Sequence, residues 1–391
     1  MNQKIVRRLI AVLLALSLLC GCASAVQAIV IPQNVKNVIL LIGDGMGENS
    51  LEWTKQAKGV SLFVDTLPYQ GYSKTDSLSG LTDSAAGATA LSCGLRAFNS
   101  NLGECAASVY GRGVNFFTYL NVSEAAKSIG KRAGIVTSDL NTGATPAGFS
   151  VHTFRRSEEQ EITDQQLAGD LDLIWAGASG LVTAERCAET GWQFADSLET
   201  LQTLPAGTRS FAALSGKIYY TDGADGDAPL SELTSLAIEQ LDNDAGFFLM
   251  VEGAHIDKNN HSNDAEGMMR AVLEFDKAIE NAVEFAKRDG NTIVIVTADH
   301  ETGGVTRDEA TGEFSYTTGD HTRADVPLRL FGSDALVKDG EHVKNTAVGR
   351  FIAKQLGYTE RFPDAQFNFG FLGELIDALV QHAKEQTAVA A

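Results

Sequence analysis

The chain has 391 residues, 44% of them hydrophobic and 21% charged, with a formal net charge of −19. This is the composition of a folded globular protein and excludes a chain disordered throughout. The acidic balance argues against nucleic acid or an anionic membrane surface as partner, because both need a basic footprint.

At the amino terminus Lys4, Arg7 and Arg8 precede an apolar run at 9–19, and small residues follow to Ala28. That is the layout of a bacterial secretory signal, and the run is too short for a comfortable membrane span. Residues 1–28 are therefore expected to be a signal peptide and 29–391 one domain. Leu19-Cys20-Gly21-Cys22 resembles a lipobox, so a form anchored to the membrane through lipid on Cys22 and a freely secreted form both fit. Either way an exported protein is expected: periplasmic, on the cell surface or extracellular. The three remaining cysteines, Cys93, Cys105 and Cys187, form no CxxC pair, so thiolate metal sites are out. Cys93 and Cys105 are close enough to bridge in an oxidising compartment, and buried thiols fit as well.

In the stretch 35–47, Val38 to Ile42 form an unbroken apolar run that leads into Gly43-Asp44-Gly45-Met46-Gly47. An apolar run without alternation predicts a strand covered on both faces. An acid at its carboxyl end sits where open α/β sheets place their ligands, although Asp44 as a helix cap is the competing reading. A short strand is expected at 71–75. Small helix formers then start near Ser84, followed by a helix at 116–130 and a strand at 133–138. Helix followed by strand is the alternation of an α/β protein with a large, mostly parallel sheet flanked by helices. A turn-rich loop at 141–148 leads to His152-Thr153-Phe154-Arg155-Arg156.

From 157 to about 245 the pattern weakens, with one helix expected at 164–173. Asp222, Asp225 and Asp227 fit a solvated turn better than a calcium loop. Regularity returns with a strand at 246–251 delivering Glu252, Asp257, Lys258 and His261. A long amphipathic helix follows, closed by Gly290, and then a strand at 291–297 ending in Asp299-His300. Asp320-His321 lies in a loop before an apolar stretch at 326–331, and a helix at 370–383 ends the chain.

Three predicted strands thus deliver Asp44, Glu252 and Asp299-His300 to one sheet edge. Unpaired acids crowded there cost several kcal/mol, which divalent cations remove. Mixed nitrogen and oxygen donors favour zinc over calcium or magnesium. Asp257 and His261, four residues apart, share one face if that turn is helical. An EF-hand-like calcium loop through Asp257, Asn259, His261 and Glu266 lacks the glycine and the spacing. His255, His342 and His382 have no comparable neighbours and are expected in core or surface positions.

GDGMG at 43–47, TDSAAGATAL at 82–91, ATPAGFSVHTFRR at 144–156, VEGAHIDKNNH at 251–261, TADHETGG at 297–304 and GDHT at 319–322 together resemble the alkaline phosphatase family, in the family's order. The resemblance implies a phosphate monoester hydrolase with Ser84 as the nucleophile that is phosphorylated. It implies one zinc ion at Asp257, His261 and His321, and a second at Asp44, Asp299 and His300 with Ser84. A magnesium ion is implied at Asp44, Thr145 and Glu252. Arg156 is the implied phosphate ligand, with its neighbour Arg155 as the alternative, and Lys258 resembles a lysine that some bacterial members keep near the third metal. Where those members carry an acid two residues before the threonine, this chain has Gly143. A phosphodiesterase of the same superfamily and a non-catalytic periplasmic phosphate- or metal-binding protein are the competing functions, and a homodimer accords with the family habit. The short interval from His300 to His321 leaves no room for a large insertion there, so a compact domain is expected.

Overall fold

The computed structural model describes residues 35–109, 112–215, 218, 227–362 and 365–367. Seventeen strands lie among them, numbered in chain order: β1 (Asn37–Gly43), β2 (Tyr69–Lys74), β3 (Glu104–Val109), β4 (Arg112–Tyr119), β5 (Arg132–Leu140), β6 (Leu173–Gly177), β7 (Gln193–Ala195), β8 (Ser210–Leu214), β9 (Phe247–Gly253), β10 (Thr292–Thr297), β11 (Glu301–Thr302), β12 (Thr306–Arg307), β13 (Phe314–Ser315), β14 (His321–Thr322), β15 (Val326–Phe331), β16 (His342–Lys344) and β17 (Ala365–Phe367). Ten of them form one sheet in the order β16-β2-β15-β10-β1-β9-β5-β6-β8-β7. Seven of its nine pairings are parallel. β15 runs antiparallel to both of its neighbours, so the sheet is mixed.

All seven residues of β1 are buried, because helices cover both faces of the sheet. Ile39 and Leu41 point into one core with Leu249, Val251, Val294, Val296 and the helix Ala265–Asp289. Val38, Leu40 and Ile42 point into the other with Ala88, Leu91, Phe248, Met250, Ile295 and Ile352. This alternation on a run with no alternation of polarity is the two-sided burial expected of a central parallel strand. No helix among the described residues is long and apolar enough to cross a membrane.

Two expected elements differ. The helix expected at 116–130 is cut in two: β4 continues to Tyr119, and the helix Val122–Ser128 starts only where Asn121 and Glu124 form a capping box. The helix expected at 164–173 starts and ends earlier, at Glu159–Ala168, and Leu173 already opens β6. Segment 157–245, which looks irregular in sequence, supplies β6, β7 and β8 and so one whole edge of the sheet. Cys93 is a buried free thiol that donates to the Tyr119 carbonyl. Asp257 and His261 lie on the helix His255–His261, which rules out a calcium loop through them. His342 is exposed and paired with Asp325, and His255 is half-buried. The signal segment, Asp222, Asp225, the carboxyl-terminal helix and His382 lie outside the described residues.

The register of the central strands positions the site. Ile42 of β1 is level with Thr297 of β10 and Glu252 of β9, and Glu252 is level with Thr137 of β5. Four parallel strands therefore end together, and the polar residues that follow them converge at one edge.

Candidate active site

Asp44 follows β1 directly. Gly45, at φ +69°, turns the chain so closely over Asp257 that a Cβ there would lie 2.8 Å from the Asp257 backbone. Only glycine meets both demands, and its N–H donates to Asp299 Oδ1 at 3.2 Å. His300 Nε2 lies 3.2 Å from Asp299 Oδ2, 3.5 Å from Asp44 Oδ1 and 3.2 Å from Ser84 Oγ. Ser84 is the first residue of the helix Ser84–Cys93, capped by Asp83, whose carboxylate accepts from the Ala86 N–H.

A second set lies beside the first. Four-residue spacing on the helix His255–His261 brings His261 Nε2 to 3.3 Å from Asp257 Oδ2. His321 Nε2 lies 3.2 Å from His261 Nε2 and 3.9 Å from Asp257 Oδ1. The rings of His300 and His321 stack at 3.6 Å, and among the described residues the donor atoms of Asp44, Asp299 and His300, and those of Asp257, His300 and His321, lie within 4.8 Å of one another. His300 thus stands between the two sets.

The outer nitrogens decide what the inner ones offer. His261 Nδ1 faces the Gly319 carbonyl at 2.6 Å and His321 Nδ1 the Thr82 carbonyl at 2.7 Å. A carbonyl only accepts, so both Nδ1 atoms carry a proton, and in the neutral rings both Nε2 atoms present lone pairs. His300 Nδ1 lies 3.2 Å from Thr302 Oγ1, whose hydroxyl donates to Asp257, so it too is the donor. Two lone pairs facing each other at 3.2 Å repel unless a cation lies between them. Asp44 Oδ1 and Asp299 Oδ2 are likewise buried with no hydrogen-bond partner among the described residues.

The electrostatics agree. Burial first, then the carboxylates of Asp299, Asp257 and Glu252, hold Asp44 well above the usual carboxylate range. Burial and Asp257 push Asp299 up to about 6, and burial and Asp139 push Glu252 up to about 8. Burial drives His300 well below its ordinary value. Acids that resist ionising and an imidazole that resists protonation are what a cation site looks like without the cation's field. The donors fit the ions expected of them: imidazole with carboxylate in two sets, and oxygen only where Thr145 Oγ1 donates to Asp44 Oδ2 at 3.4 Å near Glu252.

Arg156 and Arg155 face different surroundings. Arg156 Nη1 donates to Asp83 Oδ2 at 3.4 Å, and its charge is felt at Asp44 and His300. The Arg155 side chain is 69% exposed and turned to Glu158. Lys258 Nζ donates to Asp139 at 2.6 Å. The metal-ligand candidates, Ser84, Arg156 and Lys258 therefore lie close together at this edge, whereas Arg155 faces solvent. Sequence reasoning missed Thr302, Thr137 and Asp139. Asp139 is the last but one residue of β5, so the rule that flagged Asp44 and Asp299, an acid at the end of an apolar strand, applies to it as well.

The family model described as alkaline phosphatase matches residues 35–174 and 216–346. Alkaline phosphatase 3 of Bacillus subtilis is 35% identical over 297 residues, which is 69% of this chain and 62% of that protein. Alkaline phosphatase of Escherichia coli K12 is 30% identical over 336 residues, 68% of this chain and 70% of that protein. The chain spans 62% of the length of each of two Bacillus relatives. The structure of alkaline phosphatase from the Antarctic bacterium TAB5 superposes with a TM-score of 0.70 at 29% identity, covering 84% of this chain and 99% of that one. A variant of that enzyme carries magnesium in its M3 site. A family match over well more than half of the chain and a relative 35% identical over 69% of it show that this chain belongs to the alkaline phosphatase family.

Proposed function

We propose that the protein hydrolyses phosphate monoesters through a phosphoserine at Ser84. The observation that carries this reading is the placement of Ser84 Oγ at a helix amino terminus, 3.2 Å from the buried imidazole that stands between two acid and imidazole sets. Asp257, His261 and His321 would hold one zinc ion, Asp44, Asp299 and His300 a second, and Asp44, Thr145 and Glu252 a magnesium ion, as the TAB5 variant holds magnesium in its own M3 site. Bound there, such ions cancel the carboxylate repulsion, favour the serine alkoxide and supply an ionised water.

The chain's own residues do the rest. Ser84 Oγ attacks phosphorus in line, forming its O–P bond as the bond to the leaving oxygen breaks and that oxygen takes up a proton. Water then cleaves the O–P bond to Ser84, releasing phosphate and restoring the hydroxyl. Arg156, tethered by Asp83, presents a planar fork that suits two nonbridging oxygens. Together with Thr145 and Glu252 it favours monoesters, which carry the additional charge, over diesters. Export follows from residues 1–28 on the same reading, either as a freely secreted form or with a lipid anchor on Cys22. The experiment is turnover of a chromogenic monoester and of a matched diester by the zinc- and magnesium-loaded protein. A faster rate on the diester, or no turnover of either, overturns the proposal.

A further inference from the structure

Gly143 is not there for its backbone. As the residue before the helix Ala144–Gly148 it has φ −52° and ψ 147°, a conformation open to any residue. It is there for space, since a Cβ at 143 would lie 2.6 Å from Asp139 Oδ2 and 2.9 Å from Asp139 Cγ. The position two residues before Thr145 is thus filled by a carboxylate that arrives from the end of β5.

That carboxylate is firmly held. Asp139 Oδ1 accepts from Lys258 Nζ at 2.6 Å and from the Leu140 N–H at 2.8 Å. The Asp139 N–H donates to Thr137 Oγ1 at 2.8 Å, and the Thr137 hydroxyl donates to Glu252. Asp139 and Lys258 act on Glu252 with opposite signs, and the charge of Lys258 also reaches Asp44. An ammonium group this close to Glu252 and Asp44 competes with a divalent cation for the same two carboxylates, unless its charge is matched.

We propose that Asp139 is a positioning residue for the third ion: it holds Lys258 back and offsets its charge, so that the Asp139–Lys258 pair sets the magnesium affinity of Asp44, Thr145 and Glu252. This inference rests on the third site of the proposed function. Two consequences of opposite sign follow. Asp139→Asn leaves the lysine unmatched and weakens magnesium binding about ten- to a hundredfold, the range that outer partners of metal ligands ordinarily carry. Lys258→Met leaves Asp139 as an additional unmatched anion and tightens it severalfold. The double variant returns toward the wild type. In Asp139→Asn the released lysine also reaches toward phosphate, so inorganic phosphate binds more tightly.

The test is calorimetric titration of magnesium, and separately of inorganic phosphate, into zinc-loaded full-length protein, with zinc content as the check on folding. Opposite shifts in the two single variants support the inference. Equal affinities, or losses in both variants as a merely structural role would give, overturn it. A wild-type protein that takes up no magnesium beyond its zinc overturns instead the assignment of the third site. Should Asp139→Asn fail to fold, Lys258→Met still decides, because only the charge argument makes its binding tighter.

Discussion

Replacing Arg156 with alanine should cost far more than replacing Arg155, although the two are adjacent and chemically identical. Arg156 is turned inward: its Nη1 lies 3.4 Å from Asp83 Oδ2, its backbone N–H is bonded to the Ser100 carbonyl at 2.9 Å, and its field reaches Asp44 and His300. Asp83 in turn caps the helix that begins with Ser84, so one carboxylate fixes both the nucleophile's helix and the guanidinium. A hydrogen bond from a charged donor is worth about 1.5–3 kcal/mol. At about 1.4 kcal/mol per factor of ten, its loss corresponds to a roughly ten- to hundredfold fall in kcat/KM on a monoester. The Arg156 side chain is 38% exposed, and solvent screening places the expected loss toward the lower end. Arg155 lies 3.8 Å from Glu158 on an exposed face, a pair of the kind that contributes about 0–1 kcal/mol, and its removal should change kcat/KM by less than about twofold. The assay is kcat/KM on a chromogenic monoester together with inhibition by inorganic phosphate, which should weaken in parallel in Arg156→Ala. A larger loss in Arg155→Ala, or equal losses in both, would refute the assignment.

The remaining expectations concern the nucleophile, the metals and pH. Ser84→Ala should keep its metals but form no phosphoenzyme, and labelled phosphate trapped on another residue such as Thr82 would contradict the role of Ser84. Chelation should abolish activity and zinc restore most of it, with a further increment from magnesium. Metal counting should find His321→Ala short of one zinc ion and Asp44→Ala disturbed at two sites, because Asp44 faces both Asp299-His300 and Thr145; equal losses would contradict the division of ligands. In the metal-stripped protein Asp299 and Glu252 hold their protons more tightly than in the unfolded chain, up to about 6 and about 8. For acids raised in this way the stabilising contribution is complete below the unfolded value and is lost as pH rises through the folded one. The melting temperature of the chelated protein should therefore fall from about pH 4 to about pH 8 and level off above it, while that of the metal-loaded protein stays level; a stripped protein that is equally stable across this range would show that the carboxylates do not repel one another as described.

What the sequence by itself determined lies mainly in the strand ends. An apolar run buried on both faces must read as an apolar run, so β1, β9 and β10 were legible, and the polar residues placed after them were legible as a site. The i, i+4 spacing of Asp257 and His261 is local geometry, and it needed only the helix that the structure supplies. The edge formed by β6, β7 and β8 was not legible. These strands are only 5, 3 and 5 residues long, and what makes them strands is pairing with one another and with β5, which no local pattern encodes. The same holds for the strand and helix that divide 116–130, where a hairpin partner and a capping box outweighed a helical pattern. In the site, tertiary structure alone decided that His300 stands between the two sets, that backbone carbonyls aim both Nε2 atoms of His261 and His321 inward, and that Asp139 fills the space over Gly143. Each of these depends on groups between 4 and more than 200 residues apart in the chain, such as His321 and the Thr82 carbonyl 239 positions away, brought together only when the parallel strands align in register.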